Sequence, residues 1–158
     1  MFSMIVAATY TLALAAAYSY FLIQLAVGPI APELATYRVG LTSAIVGGLG
    51  GCVYCLRGIY LNYAVRRQWG AEWLVWYFLR PVVSAACGAV SYLFLRAGLL
   101  ILEAGQRADA SELGFYALAF IAGLNVDKFL SKIEDIAQAV WGIEKSRSAG
   151  ARDDTKQS

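Results

Sequence analysis

The sequence contains no histidine. That removes the commonest general base and the commonest metal ligand together. Charge is scarce as well: Asp, Glu, Lys and Arg make up 15% of the 158 residues, where a soluble domain carries about 25%. The formal net charge of +2 is too small to point to a nucleic-acid partner. No Lys or Arg precedes the first apolar block, so the basic start of a cleaved signal peptide is missing. A retained helix is the main reading there, with cleavage after Ala15-Ala16-Ala17 as the lesser one. The glycine run from Gly47 to Gly51 lacks the Lys-Ser/Thr of a phosphate loop. No catalytic triad or metalloprotease motif occurs, so neither a catalytic residue nor a cofactor is expected.

What the chain has is apolar surface in long runs. It is 59% hydrophobic, with a mean hydropathy of +0.58. Apolar blocks of about 20 residues match the hydrocarbon thickness of a bilayer. The blocks predict an all-α, polytopic membrane protein with four transmembrane helices, over residues 5–27, 39–63, 76–102 and 113–127. Gly28-Pro29 closes the first, since proline cannot continue helical hydrogen bonding. Arg80-Pro81 stands near the start of the third, where a helix has no acceptor for its first N–H groups. The fourth is short for a full span and then turns amphipathic. Phe129, Leu130, Ile133, Ile136, Ala137, Val140 and Trp141 recur there at helical spacing. One long helix, spanning to Asp127 and continuing in the interface or cytosol over 128–143, is the simplest account. Residues 1–143 then form a single membrane domain. Residues 144–158, charged and without periodicity, read as a disordered cytoplasmic tail.

Orientation follows from Lys and Arg. The loop between the second and third blocks carries Arg66 and Arg67, and the C-terminal region carries Lys128, Lys132, Lys145, Arg147, Arg152 and Lys156. The other two loops carry Arg38 and Arg107. The positive-inside rule puts both termini and the middle loop in the cytoplasm. Trp69, Trp73, Trp76, Tyr77 and Trp141 read as an interfacial aromatic belt.

Three groups of residues carry candidate function. Ser43, Gly47, Gly48, Gly50 and Gly51 give the second helix a bare surface for close backbone approach. That surface serves either as a seam or pore wall between subunits or as packing within one bundle. The four-span topology places Arg57, Arg80 and Asp127 at similar depth near the cytoplasmic side. Asp127 is the acid available there to Arg57 or Arg80. The pairing either locks the bundle or marks an ion or headgroup site. Arg96, toward the outer leaflet, either snorkels or lines an anion-favouring ring around an oligomer axis, with Glu103 two turns on as a possible partner. Cys52, Cys55 and Cys87 at comparable depth allow a soft-metal or redox site. Cysteine is also a small buried hydrophobe by default, and no histidine or second cysteine pair supports a metal.

Trp76-Tyr77-Phe78-Leu79-Arg80-Pro81, Arg96-Ala97-Gly98-Leu99 and Ala122-Gly123-Leu124, with Asp127 and Lys132-Ile133 following, resemble small bacterial membrane proteins. These share a W-Y-x-x-R-P helix and a last helix ending in an A/V-G-L turn and an amphipathic K-[LI] segment. The resemblance covers roughly the second half of the chain. It implies the inner (plasma) membrane and no particular activity. Three functions are in view. The first is a non-enzymatic scaffold or accessory subunit that oligomerises through the glycine-rich helix and recruits a cytoplasmic partner with its amphipathic segment. The second is a small homo-oligomeric channel or membrane-permeabilising effector. The third is a cysteine-based metal or redox protein. The expected partners are the lipid bilayer and either further copies of the chain or another protein, not nucleic acid.

Overall fold

The computed structural model describes residues 2–29, 32–98 and 110–142. Its elements are α1 (Phe2–Val27), a four-residue α2 (Pro32–Ala35), α3 (Arg38–Tyr60) continued by a π turn (Leu61–Val65), a 3-10 turn (Ala71–Trp73), α4 (Leu74–Arg96), α5 (Ala110–Leu124) and α6 (Val126–Trp141). No strand occurs among the described residues. Among the described residues three helices are long and apolar enough to cross a membrane, or four if α5 and α6 count as one bent span. The tail 144–158 and Glu103 lie outside the described residues.

α3 is the central helix, packed by α4, α5 and α1. Its glycines make this possible. At 100° per residue, Gly47 and Gly51 point one way, Gly48 another and Gly50 a third. A Cβ at Gly47 would stand 2.7 Å from the Gly88 Cα of α4, and one at Gly48 would stand 2.5 Å from the Tyr18 ring of α1. At Gly50 it would reach the Phe120 carbonyl and Leu124 of α5, and at Gly51 the Ser84 side chain and Pro81 of α4. Ser43 is buried on the same helix, its carbonyl against Gly88. These positions are therefore filled from within one chain. Of the two readings the sequence leaves open, this is packing within one bundle: a run of glycines bares the whole circumference, and three neighbouring helices take it up.

α1 is apolar all round and peripheral, with Ala7 and Thr11 its buried residues. Three hydroxyls inside these helices find backbone carbonyls, while the buried Ser43 Oγ has no hydrogen-bond partner. Thr11 Oγ1 donates to Ala7 O at 2.7 Å, Ser91 Oγ to Gly88 O at 2.7 Å, and Ser84 Oγ crosses to Gly123 O of α5 at 2.9 Å.

Three further expectations change. α4 begins at Leu74, so Pro81 stands inside the helix instead of in its first turn, and the Tyr77 carbonyl loses the N–H that residue 81 would give it. α4 also ends earlier than residue 102: the helix stops at Arg96 and Gly98 turns left-handed at φ +73°. Finally, the fourth segment is not one straight helix. α5 and α6 meet at 111°, with Asn125 in a non-helical conformation (φ −124°, ψ 54°) between them. The 15 residues of α5 reach about 22 Å, less than the bilayer core. The turn lets Val126 and Phe129 pack with Cys87 and Ala122.

Candidate functional site

The site lies at the end of the bundle where α3 ends, α4 begins and α6 turns away. At its centre is Arg80, only 6% exposed. Trp76, one turn earlier on α4, and Tyr54 of α3 sandwich its guanidinium, with ring centroids 5.4 and 4.6 Å from Cζ. Nη1 donates to Asp127 Oδ2 at 3.3 Å, while Nε and Nη2 are buried without a hydrogen-bond partner. The pair is lopsided, since the Asp127 side chain is 59% exposed. The arginine has left solvent and the acid has not. Aromatic faces supply part of what water would, worth about 2 kcal/mol when desolvated. The contact spans α4 and the first turn of α6, so it fastens the 111° turn from behind.

Two clefts open on either side of the Tyr54 ring. The larger, 600 Å³, lies between the end of α3 and the start of α4 and is lined by Arg57, Asn62, Arg66, Gln68, Trp73 and Tyr77 among others. The smaller, 440 Å³, lies under α6 and includes Arg80, Asn125, Asp127, Lys128, Lys132 and Asp135. Arg57 is exposed and belongs to the first cleft. Of the two arginines proposed for Asp127, Arg80 is the one that meets it.

The aromatic belt is only partly at the surface. Trp73 and Trp141 are 50% and 59% exposed. Trp69 is half-buried and donates from Nε1 to Ser3 Oγ at 2.9 Å, tying the start of α1 to the α3–α4 loop. Tyr77 is 1% exposed, accepts from Asn62 Nδ2 at 3.4 Å and stacks on Trp69. Its assignment to the interface is corrected: it is core. Trp76 is spent on Arg80 and Tyr54. In the Trp76–Pro81 stretch, Trp76 and Arg80 stack while Tyr77 and Pro81 are buried.

The cysteines disperse. Cys55 packs with Ala7, Ile59 and Tyr77, whereas Cys87 packs with Ala122, Val126 and Phe129. Cys52 is 1% exposed. Among the described residues no three His, Cys, Asp or Glu side chains converge on a metal-sized point, so the three-thiolate site is not formed. Changing all three to Ala is expected to leave the fold intact, at about 1 kcal/mol or less per site, read as a small drop in melting temperature in detergent. Collapse of the fold or loss of a bound metal in that variant would restore the redox reading. Arg96 is exposed at the end of α4 and donates to Tyr92 OH at 2.6 Å on its own helix, which suits a surface position.

Sequence reading missed Tyr54, Asn62 and Gln68. Tyr54 had a usable signal, lying one turn before Arg57 on the same face. Asn62 and Gln68 had none, because their placement depends on the π turn. No protein-family profile, curated protein or solved structure matches the chain.

Proposed function

We propose that the chain is a non-enzymatic scaffold or accessory subunit of the bacterial inner membrane, with both termini cytoplasmic, whose α6 recruits a partner at the membrane surface. One observation carries the reading: the 111° turn at Asn125, fastened by Arg80 and Asp127, which turns α6 away from the α5 axis. The near half of its apolar face, Val126 and Phe129, is buried against the bundle. The far half leaves Leu130, Val140 and Trp141 exposed, a pattern suited to the headgroup region. Lys128, Lys132 and Gln138 lie on other faces and are exposed, where a cytoplasmic protein can read them. With the glycines of α3 filled from inside, the scaffold role rests on α6 and not on a glycine seam.

A pore shared between copies is the competing reading. A photocrosslinker at Gln138 in growing cells is expected to give one discrete protein adduct, and one at lipid-facing Phe21 none. Purified protein in liposomes is expected to leave an ion gradient intact. A gradient that collapses, or an α6 that crosslinks to nothing, overturns the scaffold.

A further inference from the structure

The larger cleft carries a conclusion that stands whether or not α6 recruits a partner. Arg57 and Arg66 are nine residues apart. In a regular α-helix that spacing puts them on opposite sides, since nine residues make two and a half turns at 3.6 residues per turn. Here both line one 600 Å³ cavity. The π turn over Leu61–Val65, closed by Arg66 N donating to Leu61 O at 2.8 Å, underwinds the helix and carries Arg66 back toward the side of Arg57. Single π turns recur at functional sites because they re-aim side chains in this way. The backbone beyond is also unusual. Arg67 takes a left-handed φ of 54°, and Gln68 N returns to Asn62 O at 3.0 Å. A non-glycine residue at positive φ is uncommon.

The chemistry of the lining has one sign. Among the described residues it holds two arginines and no Asp or Glu. Glu72, the acid beside Trp73, folds its carboxylate over Gly70. Two arginines lining one cavity with no acid among its walls repel each other, and an anion between them relieves that repulsion. Their forked donors match the oxygens of a phosphate bidentately. Asn62 offers a side-chain carbonyl and amide beside them, and Tyr54, Trp73 and Trp76 supply flat apolar walls. Half-exposed Trp73 suits the depth of lipid headgroups.

We propose that this cleft binds a phosphate group, held between Arg57 and Arg66, from either a phospholipid headgroup or a soluble phosphate. Purified protein in a neutral detergent is titrated with inorganic phosphate, with dioctanoyl phosphatidylglycerol and with phosphate-free dioctanoylglycerol. Tryptophan fluorescence reads occupancy, because Trp73 and Trp76 line the cleft. A saturable response to the phosphate-bearing probes and none to dioctanoylglycerol is expected. Arg57→Gln/Arg66→Gln is expected to weaken it about tenfold or more, with melting of the unliganded protein unchanged because both side chains are exposed. A response to the lipid alone assigns a headgroup, and one to inorganic phosphate assigns the soluble source. An equal response to dioctanoylglycerol, no response to any probe, or parent-like binding by the double variant overturns the proposal. So does loss of binding in Lys128→Gln/Lys132→Gln with the arginine variant unaffected, since that moves the anion to the other cleft.

Discussion

Gly123→Leu is expected to abolish the folded bundle. A Cβ at Gly123 would fall on the Gly47 carbonyl oxygen and stand 2.6 Å from its carbon. These are backbone atoms of the central helix, itself held by Gly88 on its other side. A clashing side chain can change rotamer, but a clashing helix must move as a body. Overpacking a core costs about 1–3 kcal/mol where side chains can yield, and here the upper end or beyond applies. The Ser84 bond to the Gly123 carbonyl is lost in the same displacement. Gly123→Ala is expected to act in the same direction. Gly58→Ala, whose Cβ would meet only the tip of Tyr77 at 3.1 Å, is expected to cost far less. Buried Cys52, Cys55 and Cys87 provide the readout, since a thiol-reactive dye labels them only on unfolding. A Gly123→Leu protein that melts like the parent would show the three-helix contact to be wrong and return the glycines to a role between subunits.

The second large effect concerns Arg80. Arg80→Ala empties the space between Tyr54 and Trp76 and cuts the tie to α6. The expected loss is about 3 kcal/mol, from the cavity and the lost cation–π contacts together. Asp127→Ala acts differently: it leaves a buried guanidinium without its ion-pair partner, while the reverse loss leaves an acid already in contact with its surroundings. Unpairing a buried charge costs about 3–5 kcal/mol when the pair is well made. With one contact at 3.3 Å and two nitrogens already unpartnered, the expected cost is nearer the 1–3 kcal/mol of about one lost charged hydrogen bond. Arg80→Met/Asp127→Asn, which refills the slot without charge, is expected to recover part of either loss. In the cysteine-free background, spin labels at Tyr63 and Gln138 are expected to give a narrow distance distribution that broadens in Arg80→Ala. A distribution that stays narrow would show that the turn at Asn125 stands without the ion pair.

The helical class, the first three long apolar helices and the meeting of Arg80 with Asp127 were readable, because they follow from block length and a fixed rise per residue. The partners of the glycines were not. Periodicity gives the direction a residue faces, not which helix lies there, and four bare positions on α3 face three directions. The break at Asn125 showed in the sequence only as a change from an apolar to an amphipathic pattern, which one continuous helix can also give. No proline or glycine stands at Asn125, and the contacts that favour the turn come from Arg80 and Cys87 on another helix. The π turn is invisible for a related reason: it shifts a period without changing composition. Tyr77 is the one misplacement that the residues themselves contradicted. Pro81, Ser84, Gly88 and Ser91 follow it at intervals of three and four, a small-residue stripe marking the buried face of α4, and Tyr77 heads that stripe.

The thin attachment of α1 bears on how the protein is made. Its best apolar window is 11% buried, against 44% for α3, so most of this helix faces whatever surrounds the bundle. It carries no charge and requires no partner to enter a bilayer. During synthesis it can lodge alone while the ribosome is still producing the residues that will hold it. Its far end finds Tyr18's place against Gly48 once α3 is in. Its near end must wait for Trp69, whose indole closes on Ser3 only after the α3–α4 loop has emerged. α1 is therefore made before either of the contacts that hold its two ends.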